Sequence, residues 1–202
     1  MIIRKSLTPV VIHAKDFGYM EIGEDYWNVS LEGIPEAGKK YKEEISTYLS
    51  KIEEAFRDGR GLFIAGAPQT GKTALAVIVA KFAYTYWTPA TGIKFLPAYH
   101  VVRVVCNRGI GKYERCGLLI LDDLGSEKTS ELSTDSLEAL IRFRCDNRLP
   151  TIVTTNLDEQ AISKKYSVNL LKQIQRKSIP IGVGGVDWAK INSEKAKEFL
   201  KK

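Results

Sequence analysis

The most restrictive feature of this sequence is a short glycine-containing segment between a strand-like stretch and a helix-like stretch. Residues 66–73 read Gly-Ala-Pro-Gln-Thr-Gly-Lys-Thr and match the pattern G-x-x-x-x-G-K-[ST]. The apolar segment Leu62–Ala65 comes directly before it and predicts a buried strand, while Lys72–Trp87 predicts a helix. A strand, a glycine loop and a helix in this order form the context that a phosphate-binding loop requires.

In such a loop the glycines let the backbone curl around a phosphate, so that successive N–H groups and the positive end of the helix face the anion. Lys72 would reach the β- and γ-phosphates as a mobile charge, and Thr73 would offer its hydroxyl to Mg²⁺. The sequence therefore predicts ATP and Mg²⁺ as cofactors. The predicted phosphate-binding residues are Gly66, Ala67, Pro68, Gln69, Thr70, Gly71, Lys72 and Thr73.

Two carboxylates follow a second apolar stretch. Leu118–Leu121 predicts a buried strand, and Asp122 and Asp123 come directly after it. Ligands of parallel α/β sheets bind at the carboxyl ends of the strands, so both acids would lie beside the phosphate loop. We expect Asp122 to hold Mg²⁺, through water, and Asp123 to orient and deprotonate an attacking water.

The rest of the chain alternates between strand-like and helix-like segments, which predicts an α/β fold with a parallel sheet covered on both faces. A short strand is predicted at Val10–His13, and the amphipathic pattern over residues 41–56 predicts one helix that ends near Gly59. The other predicted helices are Tyr99–Cys106 and Ser133–Asn147, the latter with Ser133 as its N-cap. The other predicted strands are Ile93–Leu96, Thr151–Thr155 and Ile179–Val183.

Asn156 follows the predicted strand Thr151–Thr155 and would share the edge of the sheet with the two acids. Its amide suits a hydrogen bond to the γ-phosphate or to the attacking water. Asparagine is equally suited to an Asx-turn or a helix cap leading into Leu157. Both interpretations stay open on the residues alone.

Bulk properties exclude several classes of protein. The 202 residues suit one domain, and apolar runs such as Leu118–Leu121 are far shorter than the roughly 20 residues of a membrane span. The first residues, Met1–Lys5, show no signal-peptide pattern, so we expect a cytoplasmic protein without membrane contact. Three scattered cysteines and two histidines argue against a zinc site.

The net charge of +6 is concentrated in residues 161–202, which carry ten Lys/Arg against three Asp/Glu. A basic segment of this kind can approach a phosphate backbone. A solvated, lysine-rich helix face explains the same composition. Charge alone leaves both interpretations open.

Together these motifs resemble the AAA+ ATPase core of DnaC/DnaI-type helicase loaders and of IstB-type transposase-helper ATPases. The resemblance implies a P-loop AAA+ core with a five-stranded parallel sheet flanked by helices and no full C-terminal lid domain. It also implies Asp123 as the catalytic acid and Asn156 as the sensor 1 residue. The stretches that carry it are Tyr26–Leu31, Gly61–Ile64, Leu119–Lys128, Leu140–Arg144, Leu149–Leu157 and Gly185–Trp188.

The resemblance further implies single-stranded DNA as a partner, which gives a role to residues 103–115. This segment combines four basic residues with an aromatic residue and flexible glycines. Such a loop would follow a phosphate backbone while its aromatic ring stacks on a base. A solvated loop between strands is the alternative. The predicted DNA-binding residues are Arg103, Arg108, Lys112, Tyr113 and Arg115.

Two regions depart from the resemblance. Family members carry an arginine finger after sensor 1, and in the matching stretch here Gln173 takes the position of that arginine. Either Arg176 replaces that arginine as a third catalytic residue, or the site is weakened and hydrolysis is slow. Residues 1–38 are too few for a full helicase-binding domain, so we expect either a reduced partner-binding arm or a different partner. The expected core is residues 39–190, followed by a basic tail at 191–202.

Several functional interpretations remain open. The first is an ATP-dependent homo-oligomer that assembles on single-stranded DNA and helps to load a replicative helicase, for a phage, a plasmid or another mobile element. The second is an IstB-type helper of a transposase. The third is a nucleotide-gated DNA-binding module with little turnover. A small-molecule kinase would use the same loop, but Asp123 and Asn156 favour attack by water.

Overall fold

The computed structural model describes residues 11–86, 92–128 and 130–185. Within them, five strands form one parallel sheet in the order β2-β3-β4-β1-β5, which confirms the predicted α/β fold. Residues 186–190 of the expected core and the expected tail at 191–202 lie outside the described ranges. The strands are β1 (Gly61–Gly66), β2 (Ile93–Pro97), β3 (Leu118–Leu124), β4 (Thr151–Thr155) and β5 (Ser178–Val183).

Helices cover both faces of the sheet. The first group is α1 (Ala14–Met20), α2 (Lys39–Ser50), α3 (Ile52–Arg57) and α4 (Lys72–Tyr86). The second group is α5 (Val101–Cys106), α6 (Gly111–Arg115), α7 (Glu131–Asp146), α8 (Glu159–Lys165) and α9 (Val168–Lys177). In the part of the chain that the structure describes, no helix is both long and apolar enough to cross a membrane.

Alternation along the strands divides the interior into two apolar layers. In β1, Leu62 and Ile64 face the layer formed with α1–α4, whereas Phe63 faces the layer formed with α5–α9. Leu118 and Ile120 of β3 face the first layer in the same way. Since both faces are buried, the strands carry the continuous apolar runs that predicted a parallel sheet.

The strand order brings three functional segments side by side. Strands β3, β4 and β1 are neighbours and parallel, so their carboxyl ends lie at one edge of the sheet. The loop at Gly66 follows β1, the pair Asp122–Asp123 ends β3, and Asn156 follows β4. Folding therefore places motifs that are separated by up to 90 residues of chain next to one another.

The region before the phosphate loop differs from the sequence prediction. No strand occurs at Val11–His13, and Val10 lies outside the described ranges. Residues 14–20 form helix α1 instead, and the single helix expected over 41–56 is two helices that meet at Lys51. Phe17 and Met20 of α1 are buried in the same layer as α4, so the apolar spacing over residues 17–22 reflects helix packing. The partner-binding role of residues 1–38 stays a prediction.

The N-cap of α7 is Ser130 and not the predicted Ser133. Ser130 has an extended backbone, and its Oγ accepts a hydrogen bond from the N–H of Ser133 at 3.1 Å. The N–H of Ser130 donates in return to Oγ of Ser133 at 3.0 Å. Ser133 is thus the third residue of a capping box, and the two serines satisfy each other's backbone donors.

A buried arginine joins three elements on the α5–α9 side. Arg144 of α7 is fully buried, and burial lowers its pKa. Its guanidinium donates to the carbonyl oxygens of Cys116 at 2.9 Å and Pro150 at 2.7 Å, and to Oγ1 of Thr151 at 2.8 Å. It also donates to the carbonyl of Tyr113 at 2.8 Å. Arg144 therefore fixes the starts of β3 and β4 against α6 and α7.

Candidate nucleotide-binding site

The loop between β1 and α4 is curled by its own residues. Gln69 and Gly71 have left-handed backbones, with φ of 61° and 91°. A Cβ atom at Gly66 would lie 2.1 Å from the carbonyl oxygen of Val183, so only glycine lets β5 pack there. Oγ1 of Thr70 donates to the carbonyl of Ala67 at 2.8 Å. The loop is thus shaped as a cradle by contacts within the chain.

Lys72 begins α4 and places its ammonium inside this cradle. The side chain is 7% exposed, and Nζ donates to the carbonyl of Ala67 at 2.7 Å. Burial lowers the pKa of Lys72, and the charges of Asp123 and Asp122 oppose that effect. Because the ammonium is largely buried against a neutral carbonyl, a phosphate oxygen would be a stronger partner for it.

Asp122 lies directly opposite the start of α4. Oγ1 of Thr73 donates to its Oδ1 at 2.9 Å, and Oγ1 of Thr154 donates to the same atom at 2.7 Å. Burial is the main cause of a raised pKa at Asp122, and the neighbouring Asp123 carboxylate acts in the same direction. The predicted magnesium ligands Thr73 and Asp122 therefore meet, and their oxygen atoms are of the type that Mg²⁺ prefers.

Asp123 leaves the regular strand geometry. The register between β3 and β4 shifts between Leu121 and Leu124, and Asp123 has a left-handed backbone with φ of 56°. Its N–H donates to Oγ1 of Thr154 at 2.8 Å, and its Oδ1 accepts from Nδ2 of Asn156 at 2.7 Å. The shift separates the two acids, so that Asp122 contacts Thr73 while Asp123 contacts Asn156.

These residues line a cavity of about 990 Å³, which is also lined by residues from the segment before α2. A volume of this size is within the range of nucleotide and cofactor sites. Tyr26 lies beside the Thr73 side chain, and burial together with the charge of Asp122 raises the pKa of its phenol. The cavity is also lined by Asn28, Val29, Gly33 and Ile34 of that segment and by Tyr41 of α2.

Sequence reasoning missed two residues at this site. Thr154 is 1% exposed and connects both acids, by donating to Asp122 and by accepting from the Asp123 N–H. Tyr26 lies in the stretch Tyr26–Leu31, which carried part of the family resemblance without a role. The polar end of β4 was a signal for Thr154, whereas nothing local placed Tyr26 beside Thr73.

Arg176 lies away from this cavity. It is two residues before β5, whose first residue pairs with Gly61 at the start of β1. The adjacent Lys177 donates to the carbonyl of Asp58 at 3.2 Å, also at the amino end of the sheet. The Arg176 side chain is 61% exposed and lies 3.9 Å from Asp146. Any contact with a γ-phosphate would have to be made in a neighbouring subunit, and this role stays a prediction.

Residues 103–115 are not the flexible loop that we expected. Residues 103–106 belong to α5 and residues 111–115 form α6, with a short turn between them, and Tyr113 is only 4% exposed. The Tyr113 hydroxyl donates to the Glu21 carboxylate, which also pairs with Lys112. The structure therefore contradicts base stacking by Tyr113, because its ring is packed in the core. Arg103, Arg108, Lys112 and Arg115 are exposed, and their contact with DNA stays a prediction.

Solved structures of replication proteins share this fold. A DnaC helicase loader matches with a TM-score of 0.69 and 23% identity, over 80% of this chain and 100% of that chain. DnaI matches with a TM-score of 0.67 and 19% identity, over 82% and 96%. The replication initiator DnaA bound to AMPPCP and single-stranded DNA matches with a TM-score of 0.61 and 20% identity, over 88% and 56%.

Comparison with family models and with curated protein sequences gives no match. The matches to solved structures show the fold of the chain, which is the fold shared by the DnaC helicase loader and DnaI.

Proposed function

We propose that this chain is an ATP-binding and ATP-hydrolysing AAA+ protein that assembles on single-stranded DNA and helps to load a replicative helicase. The observation that carries the proposal is the convergence of five side chains at one edge of a DnaC-like sheet. Those residues are Lys72, Thr73, Asp122, Asp123 and Asn156.

The arrangement of these residues suits ATP and Mg²⁺. Bound ATP would supply the γ-phosphate, and Mg²⁺ would neutralise charge on the phosphate oxygens. Thr73 and Asp122 would hold the metal, since their oxygens lie within 2.9 Å of each other. Lys72 would exchange the Ala67 carbonyl for a phosphate oxygen.

Asp123 is the residue that we assign to proton transfer. Its carboxylate is held by the Asn156 amide at 2.7 Å, and its backbone N–H is held by Thr154. A carboxylate fixed in this way can accept a proton from water as the water attacks. Asn156 would orient Asp123 or the water, as the family resemblance implies for a sensor 1 residue.

DNA contact is proposed through α5 and α6. The DnaA structure that shares this fold is described as bound to single-stranded DNA. In this chain Arg103 of α5, Arg115 of α6 and Arg108 in the turn between them are exposed. Since exposed cations attract a phosphate backbone, these arginines support the same class of ligand here.

The partner is tested by affinity capture with the Asp123→Asn variant loaded with ATP. The variant should retain a replicative helicase from an extract of the host cell, identified by mass spectrometry, and only in the presence of ATP. Lys72→Ala is the matched control, because it loses the phosphate ligand and should capture no helicase. Retention of a transposase instead would contradict helicase loading and indicate an IstB-type helper.

A further inference from the structure

A buried charged cluster lies next to the site and has no part in phosphate binding. Glu127, in the turn that follows β3, is 4% exposed. Its carboxylate accepts hydrogen bonds from the N–H of Gly125 at 3.1 Å and from the Tyr166 hydroxyl, and it pairs with Nζ of Lys165 at 3.0 Å. Sequence reasoning assigned none of these residues a role.

Lys165 holds the same turn from its other side. Its Nζ donates to the carbonyl oxygen of Gly125 at 2.5 Å and to that of Glu127 at 2.9 Å. Both the N–H and the carbonyl of Gly125 are therefore held, one by Glu127 and the other by Lys165. We call Glu127, Lys165 and Tyr166 the latch.

The turn that the latch holds begins at Asp123. The N–H of Ser126 donates to the Asp123 carbonyl at 3.0 Å, which closes the turn. Gly125 has φ of 108°, and Asp123 has φ of 56° although it is not glycine. A left-handed backbone at such a residue persists only where its surroundings impose it.

The latch belongs to the connection that also carries Asn156. Asn156 follows β4, the chain then enters α8, and Lys165 and Tyr166 end that helix. Asn156 holds the Asp123 side chain at 2.7 Å, while the latch holds the backbone two residues further on. Asp123 is thus held at two points by one segment.

Stability alone does not account for a buried ion pair at this place. Moving two charges out of water costs about as much as their attraction returns, so apolar residues of similar size are often equally stabilising. The directed hydrogen bonds to Gly125 impose one backbone conformation, which apolar packing would not do. The cluster is therefore suited to fixing geometry.

We propose that Glu127 is a positioning residue, which acts through Lys165, Tyr166 and the backbone of Gly125 to fix the catalytic geometry of Asp123. The inference deepens the proposed ATPase function and rests on it. Glu127 contacts neither phosphate nor metal in this role. Loss of the latch should leave ATP bound and slow its hydrolysis.

The test compares Glu127→Gln with the milder variant Tyr166→Phe. ATP affinity should stay within about twofold of wild type, and kcat should fall by about tenfold or more, because small misplacements of a reacting group have large effects on rate. Glu159→Gln is the matched control, since Glu159 lies on α8 but is exposed and contacts Gln175. Its kcat should equal that of wild type.

A second measurement separates positioning from folding. Hydrogen exchange of the peptide covering residues 122–128 should become about tenfold faster in nucleotide-free Glu127→Gln, while exchange of β1 stays unchanged. In the Asp123→Asn background, Glu127→Gln should have no further effect on residual turnover, because the group it positions is gone.

Two results would overturn the proposal. One is that Glu127→Gln and Tyr166→Phe are both folded and have the same kcat as wild type. The other is unchanged exchange in residues 122–128, or exchange that rises equally in β1. If wild-type protein binds ATP without hydrolysing it, the proposed function fails, and the exchange measurement still decides whether the latch holds the turn.

Discussion

Asp122 and Asp123 are neighbours in sequence, yet the fold gives their carboxylates different environments. Asp122 is half-buried and accepts hydrogen bonds from Thr73 and Thr154. Asp123 is turned away by its left-handed backbone and contacts the exposed Asn156. Two adjacent acids can therefore serve two purposes, with Asp122, beside Thr73, suited to holding a metal and Asp123 suited to receiving a proton.

The buried charge of Asp122 leads to a prediction about stability. Burial raises its pKa above the ordinary value of 3.8, so the native state binds this proton more tightly than the unfolded state. The free energy of unfolding then falls as pH rises through the raised pKa. Asp122→Asn removes the charge and keeps the shape. We expect the nucleotide-free variant, in EDTA, to unfold at a higher urea concentration than wild type at pH 7.

The pH dependence provides the control. At acidic pH near 3.8 the wild-type carboxyl group is protonated, so the difference between Asp122→Asn and wild type should shrink. Urea denaturation at pH 7 and at the acidic pH measures this difference in stability. A variant that is less stable than wild type by the same amount at both pH values would show that hydrogen bonding at Asp122, and not its buried charge, determines its contribution.

At the scale of elements, the sheet and the phosphate site followed from sequence because their signals are local. Each strand has five to seven residues and contains apolar or β-branched residues in succession, and the loop at residues 66–73 has its own pattern. Helices α1 and α6 were missed because they have only seven and five residues, too few for a clear helical period. Tyr113 is buried in the α5–α9 layer and donates a hydrogen bond to Glu21, 92 residues away, so nothing local in the sequence signals its burial.

The hydrogen bonds of Arg144 hold α7 to α6 and to the segments that lead into β3 and β4, so replacing Arg144 should lower the free energy of unfolding. Arg144→Met would leave several carbonyl groups at the starts of β3 and β4 without their donor. Each unsatisfied buried group costs about 1–3 kcal/mol, so we expect the free energy of unfolding to fall by about 3 kcal/mol or more. Arg142→Met, on the exposed face of the same helix, should change it by less than about 0.5 kcal/mol. Equal urea midpoints for the two variants would contradict a stabilising role for the buried hydrogen bonds of Arg144.

Helices α5 and α6 carry the prediction about DNA. Replacing Arg103, Arg108 and Arg115 by alanine should weaken binding of oligo-dT and reduce the slope of log affinity against log salt by about 2, at about 0.7 per lost phosphate contact. Fluorescence anisotropy at several salt concentrations measures both. A matched control removes three exposed arginines from other elements, namely Arg57, Arg60 and Arg142.

Tyr99, in the turn before α5, is an exposed aromatic residue close in sequence to these arginines. Its side chain is 57% exposed, and it precedes Arg103 by four residues. If Tyr99 stacks on a base, Tyr99→Ala should cost about 1–3 kcal/mol of DNA affinity. Equal loss of DNA affinity in the arginine control and in the α5–α6 variant would show that α5 and α6 are not the DNA-binding surface.

At the scale of the whole molecule, Arg176 lies near the amino ends of the strands, whereas the nucleotide cavity lies at their carboxyl ends. A single chain therefore cannot place Arg176 on its own phosphates. We expect specific ATPase activity to rise with protein concentration, and Arg176→Ala to lower that activity while ATP binding stays nearly intact. The cation would act on charge that develops at the γ-phosphate of a neighbouring subunit.

Activity measured against protein concentration, with and without single-stranded DNA, checks this expectation. Lys172→Ala is a suitable control, because it removes a positive charge from the same helix one turn earlier. If activity per molecule is constant and Arg176→Ala equals wild type at every concentration, no arginine of this helix completes the site. The protein would then act as an ATP-gated binding module.

The most direct test of the central claim is the rate of phosphate release by Asp123→Asn, measured on protein whose ATP binding has been verified by calorimetry. The account predicts ATP affinity within about threefold of wild type and a rate at least about 100-fold lower, because the amide cannot accept the proton from water. Lys72→Ala should lose ATP binding itself. Equal turnover by wild type and Asp123→Asn would contradict the account.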